Sequence, residues 1–171
     1  MEDKQLGAAR VFASHYQLVV CDDSTATIGD EENWNAEKVA RGFAGAPIFR
    51  MVNTEADLND HWVELVLVDQ PPNFDEWQRI TCVYFRSTSG RVHVMSVIDS
   101  EPIISADIEP GDYAVYFAGQ NIGIDQSSLG EATKLTDDEI AARKDIEWYR
   151  LFLVPGKPDR EGRVVDRPLP G

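Results

Sequence analysis

Arg79-Ile80-Thr81-Cys82-Val83-Tyr84-Phe85-Arg86, Ser87-Thr88-Ser89-Gly90 and Arg91-Val92-His93-Val94-Met95-Ser96-Val97 are the consecutive segments that decide the fold. The outer two are rich in β-branched and aromatic residues with a period of two, and the middle one is a cluster of turn formers. With Thr88 and Ser89 as a two-residue loop, the runs close as a hairpin in which Phe85 faces Val92 and Val83 faces Val94. One face is then uniformly apolar, an agreement that supports the register. The opposite face carries Cys82, Tyr84, His93 and Met95.

The same period extends outward. Tyr16 to Val20 reads as a first strand, and Trp62 to Val68, with Glu64 as its one charge, as a well-buried one. Further strands are expected at Ile103 to Ile108, Tyr113 to Ala118 and Trp148 to Val154. In Ile108-Glu109-Pro110-Gly111-Asp112-Tyr113 a Pro-Gly turn precedes a strand-opening Tyr. That order fits the tyrosine corner of β-sandwiches, whose hydroxyl bonds back to upstream backbone; a plain Pro-Gly turn before an edge strand is the alternative. The number of strands favours the corner. Two short helices interrupt the pattern. Asn35 can cap Ala36 to Gly42, and Thr136-Asp137-Asp138-Glu139 has capping-box spacing, with Arg143 and Lys144 complementing the dipole before the chain resumes alternation at Trp148. The expected fold is mainly β: an antiparallel sandwich of about seven or eight strands with one or two short helices. A single domain is expected over residues 1–154. Pro155 to Gly171, rich in Pro and Gly and poor in core formers, reads as a flexible tail.

Size and charge narrow the function. A length of 171 residues suits one domain, and 43% hydrophobic with 27% charged residues is an ordinary globular balance. Thirty acidic residues against sixteen basic ones leave −14. Lys157, Arg160, Arg163 and Arg167 outnumber Asp159, Glu161 and Asp166 by one in the last seventeen residues, so the preceding body carries −15. Such a surface repels a phosphate backbone or an anionic membrane, and it favours solubility and steering toward basic partners. The opening residues lack the apolar run of a signal peptide, and no stretch approaches the roughly 18 apolar residues of a membrane span. With Cys21 and Cys82 forming neither a staple framework nor a metal motif, a cytoplasmic protein with reduced thiols is expected.

Chemistry is sparse. There is no Gly-x-Ser-x-Gly elbow, phosphate-binding Gly loop, Cys-x-x-Cys or His-x-x-x-His, so no catalytic residue, metal ligand or cofactor is assigned. The hairpin register allows a diagonal Cys82–His93 contact; packing is the simpler role for both. The acidic loops at Asp22-Asp23, Glu55/Asp57/Asp60 and Asp99/Glu101 could supply oxygen ligands to calcium, although EF-hand spacing is absent. Trp34 and Trp77 lie in acidic loops, Glu31-Glu32-Asn33-Trp34 and Phe74-Asp75-Glu76-Trp77. Each ring either anchors a basic partner or folds back to cap the sandwich. The candidate partner-binding residues are therefore Asp22, Asp23, Glu31, Glu32, Trp34, Asp75, Glu76 and Trp77.

Ser14-His15-Tyr16-Gln17-Leu18-Val19-Val20, Asp23-Ser24-Thr25, Trp34 and Gly42-Phe43-Ala44 resemble the N-terminal half of the competence protein J family. Gly90-Arg91-Val92-His93-Val94-Met95-Ser96 and Pro110-Gly111-Asp112-Tyr113 resemble its C-terminal half. The resemblance spans about residues 14 to 118 in matching order; His15-Tyr16 stands where the family has Tyr-His, and the chain continues past Ala118. The family comprises small inhibitors of a nuclease that acts as DNA enters the cell. The resemblance implies a non-catalytic acidic protein that inhibits a basic nuclease by occlusion, and it carries no contact residues over. A calcium-dependent or other ligand-binding sandwich is the alternative.

Overall fold

The chain runs β1 (Lys4–Ala13), β2 (Gln17–Cys21), α1 (Ala36–Arg41), β3 (Phe43–Ala46), β4 (Phe49–Asn53), β5 (Asn59–Leu67), β6 (Arg79–Ser87), β7 (Arg91–Met95), β8 (Ile104–Asp107), β9 (Gly111–Gln120), α2 (Asp137–Ala142), β10 (Trp148–Pro155) and β11 (Gly162–Asp166). A 3-10 turn, Phe74–Glu76, lies between β5 and β6. This computed structural model describes residues 3–13, 16–23, 34–55, 59–97, 99, 101–123, 136–142 and 146–167.

Two sheets account for all these strands. One has the order β1-β5-β10-β9-β6-β11 and the other β3-β4-β2-β7-β8. They lie face to face, because one apolar cluster draws Val11, Val63, Leu65, Val83, Phe85, Val115, Phe117, Leu151 and Leu153 from the first sheet. The second contributes Leu18, Val20, Phe43, Val52, Val92, Val94 and Ile104. The architecture is sandwich-like. Every pairing is antiparallel except β10 with β5, which is parallel with Tyr149 beside Val63 and Leu153 beside Leu67, so the larger sheet is mixed rather than antiparallel throughout. Eleven strands rather than seven or eight are present among the described residues. The unexpected ones are β1, β3, β4 and β11. β1 contains Gly7 and three alanines and β3 is only Phe-Ala-Gly-Ala, so neither has the β-branched density that marks a strand in isolation; β11 has Val164 and Val165 but lies in a stretch rich in Pro and Gly.

The expected hairpin is not one. β6 bonds to β9 and β11, whereas β7 bonds to β2 and β8, so Ser87 to Gly90 carry the chain from one sheet to the other. Val83, Phe85, Val92 and Val94 do meet in the core, but across the gap between sheets and not across a ladder. Asp22 holds this turn. Its carboxylate accepts from Thr88 Oγ1 at 2.5 Å, Ser89 Oγ at 2.7 Å and Ser89 N at 3.0 Å, while Ser87 Oγ accepts from the N–H groups of Gly90 and Arg91 at 3.1 Å. Cys82 and His93 consequently point away from each other on the outward faces of opposite sheets, which removes the diagonal contact. Cys82 packs with Val68, Ala114 and Val154, and burial pushes its thiol up to about 11. His93 Nδ1 meets Ser105 Oγ at 2.7 Å.

The local signals for caps and corners are realised. The Asn35 side chain accepts from Lys38 N at 2.9 Å to start α1. Gly42 ends the helix with φ +92°, a left-handed conformation that favours glycine. Thr136 and Glu139 exchange reciprocal 3.3 Å bonds at the start of α2; Arg143 and Lys144 lie outside the described residues. The Tyr113 hydroxyl donates to Glu109 O at 2.5 Å, the tyrosine corner. The segment read as a tail supplies β11, an edge strand on β6 whose Val165 joins the cluster around Trp77. Arg50, buried in β4, donates to Tyr84 O at 2.8 Å and to Gly45 O at 2.7 Å. It also reaches Glu161 at 3.3 Å, tying the approach to β11 across the sheet edges. Among the described residues no helix is long and apolar enough to cross a membrane.

One buried polar network sits at the end of the core where β5 and β10 begin. His61 is 1% and Glu147 3% exposed. Glu147 accepts from Tyr149 OH at 2.6 Å, Gly123 N at 2.9 Å and Glu55 N at 3.2 Å. His61 Nε2 lies 3.0 Å from Glu147 Oε2. Burial works to raise the Glu147 carboxyl, yet His61, Tyr149 and the Gly123 N–H outweigh it and bring it down to about 2. At Asp22 burial is likewise outweighed by the Thr88 and Ser89 hydrogen bonds, giving about 2.

Two outcomes follow for stability. Replacing Tyr113 by Phe deletes one hydrogen bond and no packing, which should cost about 1 kcal/mol. In a chain of this size that is a drop of roughly 2–4 °C in a thermal melt. Glu147 and Asp22 have folded-state values below their ordinary 4.5 and 3.8, so their contributions are present above those values and are lost as pH falls toward about 2. Urea melts from pH 6 down should show stability declining below about pH 4.5. Glu147→Gln, less stable at neutral pH, should show a shallower decline, and an equal slope would contradict this account.

Candidate functional site

The eight residues expected to bind a partner do not gather in one place. Asp22 is buried and its carboxylate is consumed by the 87–89 turn; Asp23 follows it, exposed, at the same end of β2. Glu31 and Glu32 lie outside the described residues. Asp75 and Glu76 are exposed on the 3-10 turn, where Asp75 faces Arg167 at 3.6 Å. Trp77, only 5% exposed, folds back onto the outward face of the larger sheet. Its ring centroid lies 5.4 Å from that of Trp148 and 5.7 Å from that of Phe152, and the Arg150 guanidinium stands 5.6 Å above it. Arg150 itself is paired with Glu64 at 2.7 Å.

Trp34 behaves differently. It precedes α1 and packs, half-buried, against the outward face of the smaller sheet, where Val19, Cys21, Ala44, Met51 and Met95 form a cluster. Its indole N–H donates to Gln17 Oε1 at 2.7 Å, so two residues quoted for the family resemblance meet here. This contact forms one wall of a cleft of about 590 Å³, lined by Tyr16, Gln17, Trp34, Val39, Asn53, Thr54, Glu55 and Arg163. The sequence-level reading of the site missed most of this lining. Tyr16 reads as an ordinary strand residue, Val39 as a helix residue and Arg163 as part of the tail, because their convergence depends on strand order.

The backbone at Tyr16 is unusual. Its φ of +59° places a bulky residue in the left-handed region, and its side chain is 52% exposed. Tyr16 O accepts from Thr54 N at 2.8 Å and Asn53 Nδ2 at 3.0 Å, which fixes the turn. Glu55 stands at the mouth and pairs with Arg79 at 2.9 Å; Arg79 also pairs with Asp166 at 3.0 Å, and Asp166 with Arg163 at 3.4 Å. A second hollow shares Glu55, and a third, containing Asp75, Glu76 and Trp77, continues from it through Gln78 and Arg167. Trp34, Asp75, Glu76 and Trp77 thus border one end of the sandwich, while Asp22 and Asp23 belong to the other.

Several carboxylates of the acidic loops are engaged within the protein. Asp60 pairs with Arg10 at 3.2 Å, and Asp99 accepts from Ser96 N at 2.9 Å. Asp57 lies outside the described residues. Among the described residues no three His, Cys, Asp or Glu side chains stand together in a group suited to a metal ion. Chemically, the arrangement offers apolar and aromatic contact surface with hydrogen-bonding groups at its edge, the composition of a docking cleft.

Comparison with known proteins places this fold. The chain is similar to the crystal structure of ComJ, inhibitor of the DNA degrading activity of NucA, from Bacillus subtilis. The TM-score is 0.65 at 16% identity, over 91% of this chain and all of that one. It is also similar in fold to the protein of crocagin biosynthetic gene J, with a TM-score of 0.53 at 16% identity over 92% of this chain and all of that one. No curated protein matches the sequence. The family model for competence protein J matches residues 10–137, three-quarters of the length and more than the motifs alone covered, so the chain belongs to the competence protein J (ComJ) family.

Proposed function

We propose that this protein inhibits a DNA-degrading nuclease by binding it and occluding its DNA site. The observation that carries this reading is membership of the ComJ family, whose Bacillus subtilis structure is that of an inhibitor of the DNA degrading activity of NucA. The charge supplies a mechanism. A nuclease presents a basic groove to DNA, and a protein of net charge −14 is drawn to the same field that attracts the phosphates. Steering speeds encounter, and a few aromatic contacts then retain the complex. The protein needs no chemistry of its own for this; it acts in the cytoplasm by excluding substrate.

The direct test mixes the full chain with the purified DNA-degrading nuclease of its native host and follows DNA degradation. Stoichiometric inhibition is expected, weakening as salt rises from about 0.05 to 0.5 M because exposed charges are screened. Unimpaired degradation at low salt with the protein in excess would remove the inhibitor reading.

A further inference from the structure

We propose that the cleft between Tyr16, Trp34 and Val39 is where the nuclease docks, and that it receives a Lys- or Arg-bearing segment of that enzyme; this rests on the inhibitor reading above. Single exposed apolar side chains are ordinary on a protein surface. Here two of the most exposed, Tyr16 and Val39 at 52% each, border the same cleft. Tyr16 is held outward at a conformational cost, since its left-handed φ of +59° is unfavourable for an aromatic residue and is kept by two hydrogen bonds to its carbonyl. That conformation is easiest for glycine, and nothing in the core requires a ring at a half-exposed position. The strain presents a side chain to solvent.

The cleft's chemistry selects the occupant. Trp34 is fixed by its bond to Gln17, so its ring is pre-positioned and loses little freedom on contact, while the Tyr16 backbone is held through its carbonyl. Aromatic faces accept the aliphatic stem and the cationic head of Lys or Arg. At the mouth, Glu55 and Asp166 are balanced by Arg79 and Arg163, at 2.9, 3.0 and 3.4 Å, so the pull on a cation comes from the aromatic faces and the overall charge of −14. A volume of about 590 Å³ accommodates a long side chain with its flanking backbone. A second copy of this chain would bring its own −14 and is disfavoured as occupant.

The experiment compares wild type, Tyr16→Gly, Val39→Lys and Ile48→Ala, with inhibition of the host nuclease and thermal stability both measured. Ile48, an exposed apolar residue in the β3–β4 turn beside Asp22, reports on the opposite end of the sandwich. Tyr16→Gly relieves the left-handed strain, so its melting temperature should be unchanged or higher while its inhibition constant rises by about tenfold or more. Val39→Lys, a helix-compatible change, should weaken inhibition similarly by setting a cation against a cationic partner; Ile48→Ala should inhibit as wild type does. Full inhibition by both cleft variants would overturn the docking site and leave the inhibitor reading standing. No inhibition by wild type would fell the reading and the docking site together. A dimer in solution that Tyr16→Gly dissociates would also overturn the proposal, by making a second copy the occupant.

Discussion

The Asp22 carboxylate is the constraint on which the arrangement of strands depends. Ser87 to Gly90 have the composition of a hairpin turn, and the runs on either side have matching apolar faces. Left to local preference they would pair. By accepting hydrogen bonds from Thr88 and Ser89, Asp22 binds the turn to the end of β2, so β7 leaves it alongside β2 and not alongside β6. Cross-links at the same edge reinforce the separation: Asp22 N bonds Ile48 O at 2.9 Å, Arg86 N bonds Pro47 O at 2.8 Å, and buried Arg50 reaches Tyr84 O. The β6 edge freed in this way takes up β9 on one side and β11 on the other.

Burial on both faces of the sheets is the second organising fact. A sandwich exposed on its outer faces shows strict alternation, whereas strands covered on both sides read as continuous apolar runs. Leu18 to Cys21 and the Val- and Leu-rich part of β5 are of the second kind. Their inward residues join the shared core, and their outward ones are covered in separate clusters. Trp34 reaches the face carrying Val19 and Cys21, while Trp77 packs with Ile80, Ala118 and Trp148 on the other sheet. Ile140 of α2 and Ile146 meet Trp62 beside β1. The tryptophans therefore mostly complete layers, and this explains why Trp77, in an acidic loop, is not an exposed anchor.

The charge and the cleft divide the proposed work of binding. The long-range field follows from composition alone and acts on approach. Short-range retention needs shaped, rigid surface, and the Tyr16–Trp34 cleft supplies it. It lies at the same end of the sandwich as the buried His61–Glu147–Tyr149 network and is joined to it through the Glu55 N–H, which bonds Glu147 at 3.2 Å.

Features set by neighbours in the chain were legible in the sequence: the Asn35 and Thr136 caps, the Tyr113 corner, and the strands β2 and β5 to β10. Each depends on hydrogen bonds or periodicity spanning a few residues. The family resemblance could likewise be read from short motifs in order. Sheet membership, the parallel β5–β10 pair, the edge strand β11 and the separation of Cys82 from His93 could not, because each is decided by which distant segment satisfies a strand's backbone. The candidate site divides in the same way. Trp34 stood out by its composition, but Tyr16, Val39, Glu55 and Arg163 became its neighbours only when the sheets brought the start of β2, the end of β4, α1 and β11 to one end of the fold. Sequence determined the acidic charge and the local turns, which need only the residues themselves. Tertiary structure decided which side chains share a surface, since that depends on pairings between residues far apart in the chain.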